Sequence, residues 1–266
     1  MNKLEKTMLD ILRKGKDEFG IIATKAEFEA EGTRTDELLR LLELSHKAEL
    51  GLALKVGGCE AIRDMLDAKR FGVQYLIAPM VETPYALSKF IDAKNRVFTS
   101  EEQDDISFLF NLETITAFQN LEEMVAMAAG DTGCDGIVFG RVDFSRSLGL
   151  GRTGTEAETV STAVETVSRA CLTSNLQFVV GGAISMDALP NLRRFQAIYL
   201  SRFETRKVVF DSGVLALPSL PRALLNALHF ELLWLLNKRE HYGIIYREDK
   251  ARIAMLEGFC QALGRD

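Results

Sequence analysis

Two carboxylates, Glu113 and Asp143, stand where chemistry is most easily assembled. An apolar run from Ile106 to Phe110 turns polar at Asn111, Glu113 and Thr114, and a second run, Gly136 to Phe139, turns polar at Gly140, Arg141 and Asp143. Each run has the length of a buried strand. The helix-length segment between them fits a parallel crossover, which returns the chain to the same end of a sheet. Carboxylates held at adjacent strand ends repel, and a shared proton, an arginine or a cation resolves the repulsion. A hard divalent cation suits such a pair when water and an oxygen-rich substrate complete its shell. The same residue types equally allow Glu113 to cap the helix that follows and Asp143 to open a turn.

Further charged groups follow other apolar runs. Gly20 to Thr24 reads as a strand and leads directly into Lys25, Glu27, Glu29 and Glu31. Strand ends of a barrel line its working face, so Lys25 and Glu27 are site candidates; Glu29 and Glu31 read as a solvated loop. Leu50 to Leu54 ends in Lys55, Gly57 and Gly58, a lysine and paired glycines that let an anion approach the backbone. Lys55 snorkelling from the core is the plainer alternative. Gly181 and Gly182, after a strand over 177–180, have the look of a late barrel phosphate cradle, and close helix packing explains them as well.

The elements that must position these groups alternate. Amphipathic or apolar patterning predicts helices over 2–15, 35–44, 60–70, 84–94 and 156–174, and strands over 20–24, 50–54, 73–78, 106–110, 136–139, 177–180 and 197–200. That is the pattern of a single α/β barrel of the (β/α)₈ type, with seven strands placed and the eighth in 95–99, in 207–210 or near the amino terminus. Arg152 to Gly154 makes a polar loop long enough to cover a site. Residues 217–263 extend the barrel as helices: one over 220–238, rich in leucine, and, after Gly243, a last one over 247–263 carrying Ile253, Leu256, Phe259 and Leu263.

Composition narrows the class. The 266 residues, 47% hydrophobic, are enough for one large core. A net charge of −6 and an isoelectric point near 5.3, without a basic stripe, argue against nucleic acid as a partner. Cys59, Cys134, Cys171 and Cys260 are scattered, which reads as reduced thiols and neither a zinc site nor a disulfide frame. Charges interrupt the first twenty residues and nowhere do 18 apolar residues run together, so the expectation is a soluble cytoplasmic protein with no membrane partner.

The stretches FLFNLET and GIVFGRVDFS, preceded by FGVQYLIAPMVET, together resemble the paired strand ends of the metal-dependent pyruvate aldolase and citrate lyase beta-subunit family, the HpcH/HpaI-type aldolases. The resemblance runs over about residues 50 to 205 in order and spacing. It implies a metal-dependent lyase or aldolase in which Glu113 and Asp143 hold Mg²⁺ or Mn²⁺ and a 2-oxo acid reacts with an aldehyde or acyl partner. It implies that Lys55 stands where the family has an arginine gripping the substrate carboxylate, although an ammonium cannot make the bidentate fork. Backbone N–H groups of Gly140, Arg141, Val142 and Asp143 would hold the same carboxylate, Asn111 would bond a substrate oxygen, and Arg141 would sense a second acidic group. The family's early strand-end histidine, its proposed base partner, has no counterpart. Two rivals stay open: a Schiff-base aldolase using Lys25 or Lys55, and a barrel that binds a metabolite without catalysis. Apolar residues on more than one face of the 220–238 helix, Leu228 and Trp234 among them, predict a homo-oligomer of at least two chains, with the last helix folding back on its own chain as the alternative.

Overall fold

Eight strands close into a barrel in sequence order, β1 Ile21–Glu27, β2 Gly51–Lys55, β3 Tyr75–Ala78, β4 Ser107–Leu112, β5 Gly136–Gly140, β6 Gln177–Gly181, β7 Arg202–Glu204 and β8 Val208–Asp211. The computed structural model describes residues 1–263, with side chains to residue 261, so the side chain of Leu263 lies outside the described residues. Between and around the strands run α1 Lys3–Phe19, α2 Thr35–Lys47, α3 Ile62–Phe71, α4 Pro84–Val97, α5 Ser100–Asp104, α6 Ile115–Gln119, α7 Leu121–Ala128, α8 Arg141–Ser147, α9 Glu158–Thr173, α10 Leu189–Gln196 and α11 Leu220–Leu263. Among the described residues no helix is long and apolar enough to cross a membrane.

Pairs from β1 to β7 are parallel, whereas β8 runs antiparallel to both β7 and β1. Three residues, Thr205 to Lys207, link β7 to β8, far too few for a crossover helix, so the chain can only turn back as a hairpin. The eighth strand therefore falls in the second of the three places expected for it. The seventh does not. Residues 197–200 continue the turns that end α10, with the Ile198 and Tyr199 N–H groups donating to Phe195 O, and Leu200 is buried as the chain enters β7.

Side chains alternate along each strand, and the inward set builds the interior in layers. Ala23, Ala53, Ile77, Leu109, Val138, Val179 and Val209 form an apolar plug. Two residues further along five of these strands stand Lys25, Lys55, Asn111, Gly140 and Gly181, and on β7 Glu204 pairs in register with Gly181. The plug floors a cavity at the carboxyl ends of the parallel strands. The outward set meets the helices in the main core, which includes Phe90, Phe108, Phe110, Phe139, Phe178 and Phe203.

The carboxyl-terminal region differs from expectation. In place of two helices interrupted at Gly243 there is one, α11, 44 residues long. A single interior glycine costs about 1 kcal/mol relative to alanine, too little to stop a helix with good formers on both sides. Its first part packs on α1, with Leu220, Ala223, Leu224, Ala227, Phe230 and Trp234 buried. Residues 244–261 are exposed throughout, so the last turns do not fold back over their own chain.

Candidate active site at the barrel mouth

A cavity of about 440 Å³ opens at the barrel mouth and gathers the strand-end groups. Of the residues expected there, Lys25, Glu27, Lys55, Asn111, Glu113, Gly140, Val142, Asp143, Gly181 and Gly182 line it; Arg141 does not. None of the three histidines lines this cavity.

Glu113 follows β4 and is 3% exposed. Its Oε1 accepts the Met80 N–H at 3.1 Å and its Oε2 accepts the Asn111 amide at 2.8 Å. Lys55 Nζ is 3.6 Å from Oε1. Burial pushes the Glu113 carboxyl above its ordinary range, Asp143 adds to the rise, and Lys55, Asn111 and Met80 only partly oppose it. Glu113 does not cap the next helix; Thr114 does, its side chain accepting from the Ala117 N–H. Gly140 faces it across the β4–β5 edge. A Cβ on Gly140 would lie 2.7 Å from that of Glu113, so only glycine leaves the carboxylate its place.

Asp143 sits in the first turn of α8, which begins directly at the end of β5. It is exposed enough to meet solvent, with Arg146 Nη1 at 3.4 Å from Oδ1. Among the described residues there is no cluster of three or more His, Cys, Asp or Glu side chains able to hold a metal. The donor set is thus two carboxylates, hard oxygen ligands that suit Mg²⁺ or Mn²⁺ when substrate and water complete the shell. Asn111 Oδ1 beside them is buried without a hydrogen-bond partner. A carboxylate raised by burial and an orphaned acceptor both mark a place short of positive charge or donors, so the residues fit a divalent cation.

On the opposite wall the charges are paired with one another. Lys25 forms ion pairs with Glu204 and, at 3.1 Å, with Glu27. Burial alone would lower the Lys25 ammonium, but Glu204 and Glu27 outweigh it and hold the group above the ordinary lysine range. Glu27 is held below its ordinary range, burial opposing and Lys25 and Lys55 prevailing. Lys55 behaves like Lys25: burial lowers it, Glu113 and Glu27 raise it further, and the net shift is upward. A Schiff-base lysine must lose its proton to attack a carbonyl. Burial and neighbouring carboxylates together shift both lysines upward, which runs against that requirement.

Several readings from sequence need correction. Arg141, expected to sense a second acidic group, is fully buried. Its guanidinium donates to Gly182 O at 2.8 Å, to Ala183 O at 3.1 Å and to Glu156 at 2.9 Å, so it ties the β6 loop to the start of α8 from beneath. Gly182 and Ala183 both have positive φ, 86° and 52°, and this clamp holds them there. Gly182 lies against α8, where a Cβ would stand 2.9 Å from Val142 N; close packing accounts for that glycine. Glu29 and Glu31 are not a solvated loop. Glu29 Oε2 lies 3.2 Å from Lys55 Nζ, and Glu31 pairs with buried Lys207.

Glu204 and Met80 escaped sequence reasoning. Glu204 lies four residues past the strand expected over 197–200; two-residue alternation along the actual strand, Arg202 to Glu204, points it inward. Met80 contributes a backbone N–H from a left-handed conformation, φ 46°, which nothing in its side chain announces.

Comparison with known proteins bears on what this cavity serves. A search of curated proteins finds no match. Among solved structures, an HpcH/HpaI aldolase/citrate lyase family protein from Burkholderia cenocepacia superposes with a TM-score of 0.61 at 15% identity, covering 91% of this chain and 90% of that one. An HpcH/HpaI aldolase from Desulfitobacterium hafniense gives 0.56 at 16% identity, covering 74% and 82%. A citrate synthase variant gives 0.55 at 15% identity, covering 74% and 81%. At these identities the likeness establishes the barrel fold. The sequence model of HpcH/HpaI aldolase/citrate lyase matches residues 33–193, from the start of α2 into α10, and takes in both Glu113 and Asp143. That match covers more than half of the chain, which therefore belongs to the HpcH/HpaI aldolase/citrate lyase family, a membership that supports an aldolase or lyase activity.

Proposed function

We propose that this protein makes or cleaves a carbon–carbon bond next to a 2-oxo acid, with Glu113 and Asp143 holding Mg²⁺ or Mn²⁺. The observation that carries the reading is Glu113: a buried carboxylate, raised by burial and by Asp143, in a cavity on whose other wall the carboxylates are paired with Lys25. When bound, the cation supplies Lewis acidity that lowers the cost of negative charge on a carbonyl oxygen. The chain's own residues do the rest. Lys55, kept protonated and 3.6 Å from Glu113, presents a fixed positive charge to the substrate carboxylate. Asn111 spends its amide on Glu113 and holds its carbonyl oxygen ready for a donor, such as a substrate hydroxyl or bound water. Met80 and Gly140 keep Glu113 in position, the first by its N–H and the second by having no side chain. The plug beneath excludes water from the floor. At about 440 Å³ the cavity has room for an aldehyde or acyl partner beside a three-carbon oxo acid.

Exchange of the pyruvate methyl protons in D₂O tests this reading, because it reports loss of a proton next to the carbonyl, and its dependence on metal separates an enolate from the enamine of a lysine adduct. Exchange should need Mg²⁺ or Mn²⁺, stop in EDTA, and be lost in Glu113→Gln and Asp143→Asn. Undiminished exchange in EDTA would sink the metal-assisted reading. Pyruvate binding without exchange would leave a binding barrel, and a borohydride-trapped adduct on Lys25 or Lys55 would restore the Schiff-base route.

A further inference from the structure

Six acidic side chains line the mouth cavity: Glu27, Glu29, Glu113, Asp143, Glu204 and Glu231. Four already have a task. Glu27 and Glu204 are paired with Lys25, and Glu113 and Asp143 are assigned to the cation. Of the remaining two, Glu231 stands half-buried on α11 at the rim. Glu29 has an oxygen, Oε2, that is closed off from solvent and accepts no hydrogen bond among the described residues. Lys55 Nζ lies 3.2 Å from it, near enough for attraction but off the direction of a hydrogen bond. Buried acceptors are normally satisfied, so an orphaned carboxylate oxygen at a cavity wall calls for a donor that arrives from outside.

The loop that carries Glu29 is tied down. Just past β1, the Phe28 N–H donates to Lys55 O at 2.8 Å and the Thr33 N–H donates to Glu27 O at 3.1 Å. Between them Glu31 pairs with buried Lys207, and Gly32 makes the left-handed turn, φ 55°, that brings the chain back. Glu29 is therefore presented to the end of β2 from a fixed frame. There Lys55 Nζ stands 3.2 Å from Glu29 Oε2 and 3.6 Å from Glu113 Oε1. The two carboxylates share one ammonium but differ in their other bonds: Glu113 accepts from Met80 and Asn111, whereas Glu29 Oε2 accepts from nothing.

We infer that Glu29 is the general base of the site, the group that takes the proton from the carbon next to the substrate carbonyl; the inference rests on the 2-oxo acid reading above. The proton passes to the Glu29 carboxylate, the C–H electron pair becomes the C=C bond of the enolate, and the carbonyl π pair moves onto oxygen. When the enolate carbon adds to an aldehyde, the new alkoxide takes that proton back and Glu29 is restored. Lys55 ties base strength to binding. A substrate carboxylate drawn to Lys55 takes up part of the charge that Glu29 shares, and a carboxylate that loses a neighbouring cation holds a proton more tightly. With no histidine lining the cavity, no imidazole competes for the role.

Exchange of pyruvate methyl protons in D₂O with Mg²⁺, read beside calorimetric binding of pyruvate to the Mn²⁺-loaded protein, tests the assignment. Glu29→Gln keeps the size of the side chain and removes its basicity. Exchange should fall by about 100-fold or more, the usual range for a lost general base. Pyruvate should bind as tightly as in wild type or more so, because Lys55 loses a competitor. Glu29→Asp, a base one methylene shorter, should exchange faster than Glu29→Gln, and Glu231→Gln should exchange like wild type. Wild-type exchange in Glu29→Gln, loss of pyruvate binding together with exchange, equal rates in the two Glu29 variants, or loss of exchange in Glu231→Gln would each overturn the assignment while wild type still exchanged. A wild type that exchanges with neither metal would instead bring down the 2-oxo acid reading, and the base with it.

Discussion

The two walls of the mouth cavity solve the same problem in opposite ways. On the β1 and β7 side, Lys25 is flanked by Glu27 and Glu204, and the cluster is closed on itself. On the β4 and β5 side, Glu113 is pushed toward its neutral form, Asn111 has an unused acceptor and Asp143 reaches solvent. A cluster whose charges are paired within itself has little left to offer a ligand and serves to hold the barrel mouth. An unsatisfied one is stable only because something else completes it, and this is where binding energy is available. The fold separates the two: the first wall spans β1 and β7, between which β8 runs antiparallel to both, and the open wall stands on the adjacent parallel strands β4 and β5.

Breaking the paired wall should do the most damage. Lys25→Met strands two buried carboxylates, and losing one partner of a buried pair costs about 3–5 kcal/mol. The expected outcome, read by chemical denaturation, is a loss of stability of that order with activity falling only as the protein unfolds. If stability held and turnover alone fell, Lys25 would belong to the chemistry and the division would fail.

Lys55 sits between the walls and sharpens the comparison. Lys55→Met should raise the KM for the oxo acid by one to two orders of magnitude, the loss of a charge-assisted hydrogen bond of about 1.5–3 kcal/mol. Lys55→Arg should retain most of the affinity. An unchanged KM in the methionine variant would make Lys55 a scaffold residue paired with Glu29 and Glu113.

The smallest effect is the pH dependence of stability, where the walls act at opposite ends. Glu113 binds its proton more tightly folded than unfolded, so from about pH 4.3, the ordinary glutamate value, up to its raised value the folded state holds more protons and stability falls as pH rises. Glu113→Gln should remove that component, visible as a difference between variant and wild-type unfolding curves without added metal. Lys25, raised in the fold, contributes stability that is complete below the ordinary lysine value and lost only as pH climbs through its alkaline folded value. A Glu113→Gln curve parallel to wild type across the acid range would show that the carboxylate is not held out of balance.

The open wall was legible in the sequence because its signals are local. Strands β4 and β5 are apolar runs that end abruptly in polar residues, and the strand ends fall within one or two residues of where alternation places them. The paired wall was not legible because its pairing is remote: Lys25 and Glu204 are 179 residues apart, and β7 is three residues long, defined by its neighbours more than by its composition. Asp143 read as a loop residue since nothing marks a helix that starts without any intervening turn. Arg141 read as a ligand contact because its partners are carbonyl oxygens of Gly182 and Ala183, which any residue type could have supplied. Gly243 read as a break because a glycine's helix penalty is judged locally, while a 44-residue helix is decided by its whole length.

Calorimetric titration of Mn²⁺ into wild type, Glu113→Gln and Asp143→Asn tests the division of the walls most directly, since it needs no knowledge of the substrate. Wild type should bind the ion, both variants should lose that binding while unfolding as cooperatively as wild type, and Lys25→Gln under conditions where it stays folded should bind as wild type does. Mn²⁺ binding that survives in both carboxylate variants, or that is lost in folded Lys25→Gln, would contradict the account.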